Sequence, residues 1–232
     1  MLDNNLRIQY LQAMGLEVWV PRHKPVVASS VVAPFVDEAI PTVTSDALLN
    51  TPSAWASLNQ TIALCQRCEL SNYRVAPAAE ISPQTAHWLV ISDPSDADAS
   101  IAMETDALLR EMVRALGINI EDVVRTSALK CPLPKERAPY RNELAECRLF
   151  LQQHIELLQP KIILLMGSLA AHSMLQTDVP LEQLRGTVHT VAATPTVVTY
   201  DPRFLLRALL EKRFAWLDLQ LAMTAYQEVN RL

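Results

Sequence analysis

Residues 161–171 read Lys-Ile-Ile-Leu-Leu-Met-Gly-Ser-Leu-Ala-Ala and contain the longest apolar stretch of the chain. The aliphatic run at 161–166 has the length of one strand, and its lack of polar alternation is typical of a strand buried on both faces. Gly167 and Ser168 then interrupt the run, and residues 168–175 fit a short helix. This stretch therefore predicts a buried strand that leads directly into a helix, the repeating unit of α/β folds.

The same alternation of strand and helix extends on both sides of this unit. Further strands are predicted at 87–92, 123–128 and 196–200, and helices from 52 towards 65 and at 103–116, 142–158, 203–211 and 213–228. Strands that alternate with helices predict a three-layer α/β fold, with a mostly parallel four-stranded sheet and helices on both faces. In such sheets, ligand sites gather at the carboxyl ends of the strands.

Composition divides the chain into three predicted regions: a peptide at 1–20, a proline-rich linker at 21–51 and a folded domain at 52–232. The peptide combines a short helical pattern with an extended stretch, and proline in the linker favours an extended tether. A partner groove is expected to bury its apolar anchors, which are Tyr10, Leu11, Met14, Leu16 and Trp19. The alternative is that the peptide packs on its own domain as an extra helix and strand.

The length, net charge and apolar runs of the chain argue against some classes of protein. Its 232 residues carry a net charge of −5, which argues against strong nonspecific DNA binding, because that depends on Lys and Arg at phosphates. No run of about 18 apolar residues predicts a membrane span, and the first residues lack the pattern of a signal peptide. We therefore expect a cytoplasmic protein, a compartment in which clustered cysteines indicate a metal more often than a disulfide.

The four cysteines of the chain form the clearest candidate site. Cys65 and Cys68 form a C-x-x-C pair, Cys131 follows a predicted strand, and Cys147 lies on the next predicted helix. Four thiolates suit either a tetrahedral zinc or a [4Fe–4S] cluster, and spacing alone does not choose between them. The remaining alternative is a redox pair of cysteines with two buried bystanders, as in a redox or sensor protein.

An ordered series of motifs resembles the family 4 uracil-DNA glycosylases over roughly residues 53–220. The resemblance implies a [4Fe–4S] cluster rather than zinc, with all four cysteines as its ligands. It rests on Cys65-Gln66-Arg67-Cys68-Glu69-Leu70, Leu129-Lys130-Cys131-Pro132, Cys147, Leu165-Met166-Gly167-Ser168-Leu169-Ala170, Leu184-Arg185-Gly186 and Asp201-Pro202-Arg203.

The chain departs from this family at the positions that carry its chemistry. The resemblance implies an aromatic ring where Ala99-Ser100-Ile101-Ala102 stands, an asparagine at Ser127 and a histidine at Asp201. A carboxylate at the last position would repel negative charge on a departing base. We therefore expect a protein without catalytic residues. Asp93 or Asp96 would be the candidate general base of an active enzyme, although the simpler interpretation is an acid in a turn or a helix cap.

Residues 8–22 also resemble the N-terminal peptide of bacterial psi subunits, which belong to the DNA polymerase III clamp-loader complex. This resemblance implies a non-catalytic replisome adaptor. Its peptide would bind the tau and gamma clamp-loader subunits, and its body would bind the chi subunit and, through chi, single-strand-binding protein. Direct DNA binding would then be weak or absent. The alternative is an active family 4-type glycosylase for uracil or a damaged base.

Overall fold

The computed structural model describes residues 52–74, 86–94, 99–134 and 137–231. The chain divides into two units, Met1–Pro41 and Thr42–Leu232, and every described residue belongs to the second. The predicted peptide and linker lie outside the described residues, and so do its anchors, Tyr10, Leu11, Met14, Leu16 and Trp19. The boundaries at 20 and 51 therefore stay predictions, as does binding of a partner by the peptide.

Five strands form one sheet in the described part of the chain. They are β1 (Trp88–Ser92), β2 (Val123–Ser127), β3 (Ile162–Met166), β4 (Val188–Val191) and β5 (Thr194–Thr199), in the order β2-β1-β3-β5-β4. The first three strands and β5 are parallel, and only β4 runs antiparallel. The predicted mostly parallel α/β sheet is confirmed, and its carboxyl edge brings together the residues that follow β1, β2, β3 and β5.

The predicted number of four strands is wrong, because β4 was not foreseen. β4 forms a hairpin with β5 through Ala192 and Ala193, whose φ angles are 47° and 65°. Tight hairpin turns need positive φ and usually use Asn or Gly for it. Two alanines carry no such signal, so the sequence pattern showed β5 alone.

Helices cover the sheet on both faces, as expected. They are α1 (Pro52–Ala63), α2 (Ala99–Ala115), α3 (Arg141–Leu158), α4 (Ser168–Leu175), α5 (Leu181–Leu184), α6 (Pro202–Arg207) and α7 (Lys212–Val229), with 3-10 turns at Glu69–Tyr73, Ile120–Asp122 and Leu209–Glu211. No helix in the described ranges has the length and apolarity to cross a membrane.

Two apolar cores lie on the opposite faces of the sheet. Alternate residues of β1 show the division, because Leu89 and Ile91 pack in the core with α1, α3 and α4 while Trp88 and Val90 pack in the core with α2 and α7. Strand residues point alternately to the two faces, so a strand buried on both sides must be apolar throughout. This explains why the aliphatic run of β3 located the centre of the sheet.

Candidate functional site

A pocket of about 280 Å³ opens at the carboxyl edge of the sheet. Its wall comes from the ends of β1, β2 and β5 and from one face of α2, so residues distant in sequence meet there. We call it the edge pocket, and it is lined by Ser92, Asp93, Pro94, Ile101, Ala102, Thr105, Asp106, Leu109, Arg125, Thr126, Ser127, Asp201, Pro202 and Arg203. This is the position at which parallel α/β sheets bind ligands.

Asp93 is a partly buried acid of the edge pocket. It follows β1 directly, and its Oδ1 accepts a hydrogen bond of 2.8 Å from the backbone N–H of Ala170 in the first turn of α4. Burial raises the pKa of Asp93 to about 7, and the nearby Asp201 carboxylate adds to the rise, while the Ala170 hydrogen bond opposes it. A carboxyl group that titrates near neutral pH can act as a general base under physiological conditions.

Gly167 provides the space that the Asp93 carboxyl group occupies. A Cβ atom at this position would lie 2.3 Å from Cγ of Asp93, and the backbone φ is +105°. With ψ at 168°, this conformation belongs to a region that is essentially restricted to glycine. The glycine between β3 and α4 is therefore required both by its own backbone and by the acid that packs against it.

Asp201 is the second acid of the edge pocket and caps a helix. Its Oδ1 accepts a hydrogen bond of 2.8 Å from the backbone N–H of Arg203 and lies 3.9 Å from the Arg203 Nε. Burial raises the pKa of Asp201, against the opposing effects of these contacts with Arg203. The carboxylate thus acts as the N-cap of α6, and the Arg203 guanidinium offsets its charge within the pocket.

Other positions at which the sequence differs from the family 4 motifs also line the edge pocket. Ser127 ends β2 in its wall, and Ile101 and Ala102 face it from α2. No aromatic ring is present among its described lining residues. A third pocket acid, Asp106, forms ion pairs with Arg125 and Arg110. Asp96 lies outside the described residues, so only Asp93 can be assigned as a candidate base.

None of the four cysteines lines the edge pocket, and we call the region that holds them the cysteine corner. Cys65 and Cys68 follow the end of α1, Cys131 follows β2, and Cys147 lies on α3. Cys131 and Cys147 are buried in one apolar cluster, and Cys68 packs against it. The Cys68 thiol interacts electrostatically with those of Cys65, Cys131 and Cys147.

The surroundings of these thiols fit a metal cofactor. An open cavity of about 730 Å³ is lined by Cys65, Cys68 and Arg74, and Arg74 Nη2 donates to the Sγ of Cys131 at 3.0 Å. Burial raises the pKa of the Cys147 thiol to about 11, so its thiolate forms at neutral pH only together with a bound cation. In the described ranges, the side chains do not form a group of three or more His, Cys, Asp or Glu for one metal ion.

Two histidines and one arginine make contacts with other residues of the fold. His154 is buried, with a ring centroid 5.8 Å from that of Trp55, and burial lowers its pKa to about 3. His172 contacts the carbonyl of Val179. Arg185 donates to buried Asp218 at 2.7 Å. Each of these three side chains thus makes a contact within the fold, and that of Arg185 is a salt bridge.

Two residues of these sites were not predicted from the sequence. Arg74 was not among the candidate residues, and Gly167 belonged to a motif but had no predicted role. The signal for Gly167 was its place between a buried strand and a helix, where positive φ is common. For Arg74 the local sequence gave no signal, because its contacts are with residues 11 to 57 positions away.

Comparison with known proteins identifies similar chains. Residues 59–221 match the family model described as the uracil DNA glycosylase superfamily. The chain is 27% identical over 112 residues to a type-4 uracil-DNA glycosylase of Archaeoglobus fulgidus, a match that covers 46% of this chain and 56% of that protein. Proteins of the same name match from Thermotoga maritima (32% over 102 residues, 43% and 53%) and Pyrobaculum aerophilum (26% over 164 residues, 65% and 83%). The matches thus span about half the length of the first two relatives.

These relatives contradict two predictions. All three are named as enzymes, so the interpretation as a non-catalytic psi-type adaptor is wrong, and so is the inference that the chain is not an enzyme. That inference treated the missing motif residues as a missing site. The described residues instead form a pocket that contains the partly buried acid Asp93. Asp201, which was expected to repel a departing base, has its charge offset by Arg203.

Proposed function

The chain belongs to the uracil DNA glycosylase superfamily, and on that premise we propose that it is a DNA glycosylase, which removes uracil or a damaged base from DNA. We further propose that its four cysteines hold one [4Fe–4S] cluster. The names of the relatives support the reaction class. The single observation that carries the proposal is Asp93, a partly buried acid of the edge pocket whose pKa is raised to about 7.

The size and position of the edge pocket suit a single nucleobase. Small-molecule sites have volumes of roughly 300–1,000 Å³, and this pocket, at about 280 Å³, is near the lower limit. Glycosylases turn the target nucleotide out of the DNA helix into such a pocket. Leu109 and Ile101 provide apolar surface for the base, and the hydroxyl groups of Ser92 and Ser127 provide hydrogen-bonding groups.

Asp93 is the proposed general base. In its ionised form it takes a proton from a water molecule, the water oxygen bonds to the sugar C1′, and the bond between C1′ and the base nitrogen breaks with its electron pair remaining on the base. The hydrogen bond from Ala170 fixes the carboxyl group in place, which reduces the reorganisation needed during the reaction. Arg203 supplies positive charge beside the departing base.

Exposed basic residues next to the edge pocket are the proposed contacts with DNA phosphates. Arg207, Lys212 and Arg213 are exposed on α6 and at the start of α7, immediately after the pocket residues Asp201 and Arg203. A net charge of −5 does not prevent such local binding, although it limits attraction over long distances. We therefore expect affinity for DNA that falls steeply with salt concentration.

The [4Fe–4S] cluster would be held by Cys65, Cys68, Cys131 and Cys147. When bound, such a cluster supplies four iron–thiolate bonds and the capacity for one-electron chemistry. The proposed role here is structural, because the cysteine corner connects the end of α1 with the loop after β2 and with α3, and none of the four cysteines lines the edge pocket that holds Asp93.

The proposed reaction is tested by excision assays on oligonucleotides that contain uracil or alkylated bases. Wild-type protein should produce abasic sites, and Asp93→Asn should lower the rate on the order of 10²–10⁴-fold because the general base is lost. The wild-type rate should rise as pH passes upward through about 7, since the base is active when ionised. Asp178→Asn, an exposed acid paired with Arg141, is the control with the same chemical change. Excision by Asp93→Asn at the wild-type rate would contradict the role of Asp93, and no excision of any base would contradict the proposed function.

A further inference from the structure

Arg74 makes contacts that connect three parts of the cysteine corner. It follows the 3-10 turn Glu69–Tyr73 and lies six positions after Cys68. Its Nη1 donates to the backbone carbonyls of Ile62 (2.7 Å) and Ala63 (2.5 Å) at the end of α1. Its Nη2 donates to the Sγ of Cys131 at 3.0 Å. One side chain thus holds the end of α1 and the loop after β2 together, next to both members of the C-x-x-C pair.

These contacts satisfy groups that the fold would otherwise leave without partners. The last carbonyls of a helix have no partner within it and carry partial negative charge, so a guanidinium group at the end of α1 is favourable. Arg74 is partly buried, and its Nε–H is fully enclosed without an acceptor among the described residues. That donor lies in a side chain that lines the cavity with Cys65 and Cys68.

Building on the proposed cofactor, we infer that Arg74 is a positioning residue for the cluster, which it retains by donating N–H hydrogen bonds to its sulfur atoms and by offsetting its negative charge. Four thiolates give a [4Fe–4S] centre a net negative charge, and hydrogen bonds to sulfur are a known means of adjusting its reduction potential. A planar guanidinium fork can donate to Cys131 and to the α1 carbonyls at once, which an ammonium group cannot do with the same geometry.

The experiment compares full-length wild-type, Arg74→Gln, Arg74→Lys and Arg67→Gln proteins, prepared without oxygen. Arg67 is the matched control, because it lies between Cys65 and Cys68 but is half exposed and contacts Glu146 and the ring of Phe150. We measure iron and sulfide per chain, the rate at which a chelator removes the iron, and the midpoint potential of the cluster. None of these measurements depends on excision activity.

We expect Arg74→Gln to lose iron to the chelator on the order of tenfold or more faster than wild type, as is typical when a group that supports a metal ligand is removed. Its midpoint potential should be lower, because a positive charge that favours the reduced cluster is missing. Arg74→Lys should retain most of the potential and still lose iron faster than wild type. Arg67→Gln should match wild type in both.

Two results would overturn this role of Arg74: a wild-type potential and rate of iron loss in Arg74→Gln, or equal changes in Arg74→Gln and Arg67→Gln. If Arg74→Gln does not fold, Arg74→Lys decides, and a wild-type rate of iron loss in that variant overturns the inference. Wild-type protein that binds no iron would instead refute the proposed cluster, and the inference with it. The two failures are therefore distinguishable.

Discussion

The edge pocket and the cysteine corner lie on the same small sheet but impose different demands on their residues. The cluster proposed for the cysteine corner needs four ligand side chains, and cysteine thiolates are the usual ligands of a [4Fe–4S] centre. The edge pocket needs a cavity, an acid and polar groups, and several side-chain combinations can provide them. The cysteine motifs resemble those of the family 4 glycosylases, whereas that resemblance implies other residues at Ile101, Ser127 and Asp201. A departure from a motif is thus weaker grounds for loss of function in a pocket than in a metal site.

This difference predicts that the cysteine corner is less tolerant of substitution. Cys147→Ser should give the largest effect, because Cys147 is buried and a lost ligand removes part of a metal-binding energy that is about 10–16 kcal/mol in structural zinc sites. We expect brown wild-type protein with about four irons per chain and a variant with little iron and a much lower thermal unfolding temperature. Leu149→Ser, at a half-exposed position of the same helix, is the control for introducing serine.

The metal content of the wild-type protein also distinguishes a [4Fe–4S] cluster from zinc. Colourless wild-type protein with one zinc would show that the four cysteines hold a different metal. Normal iron content and stability in Cys147→Ser would show that Cys147 is a buried bystander, and the contrast between the two regions would disappear.

Gly167→Ala tests the most constrained position of the edge pocket. The new methyl group would overlap the Asp93 carboxyl group at 2.3 Å, and the backbone would be strained at φ +105°. We expect a loss of about 3–5 kcal/mol in the free energy of unfolding, from strain and overpacking together, and weaker excision because Asp93 is displaced. Gly117→Ala shares a positive φ of +74° but meets no atom within 4 Å, so it should cost only about 1 kcal/mol. Equal losses from the two variants would show that Asp93 does not depend on the space at Gly167.

Local pattern predicted most of the fold, and tertiary contacts explain the parts that it missed. The aliphatic run at 161–166 located the central strand because a strand buried on both faces leaves a continuous signal. The β4–β5 hairpin was missed because Ala192 and Ala193 adopt positive φ without the usual residues. Asp93 was considered both as a candidate base and as an acid in a turn or a helix cap. Its hydrogen bond, however, is to Ala170, 77 residues away, and no local pattern reveals that distance or the resulting burial.

Asp93→Asn has a smaller expected effect on stability than Gly167→Ala, and it should stabilise the protein rather than destabilise it. Burial raises the pKa of Asp93 from 3.8 to about 7, so the folded protein binds this proton more tightly than the unfolded chain does, and wild type loses stability as pH rises from about 4 to 7. Asparagine keeps the shape and an acceptor for Ala170 but has no charge to bury. At pH 8 the variant should therefore be more stable than wild type by about 2 kcal/mol, with about 4 kcal/mol as the ceiling set by three pKa units.

Glu143 lies on the same helix as Cys147 and provides the contrasting control for this prediction. Glu143 accepts hydrogen bonds from Arg137 and from the Tyr140 N–H, and the bond from Arg137 lowers its pKa below 4.5. Its ionised form therefore stabilises the fold above that pH, and the stability is lost as pH falls through the lowered pKa. Glu143→Gln should be less stable than wild type at pH 7, and the difference should shrink in acid. Chemical denaturation from pH 3.5 to 8 measures both variants. If Asp93→Asn instead followed the course of Glu143→Gln, Asp93 would be an ordinary stabilising cap, and the edge pocket would lose its candidate base.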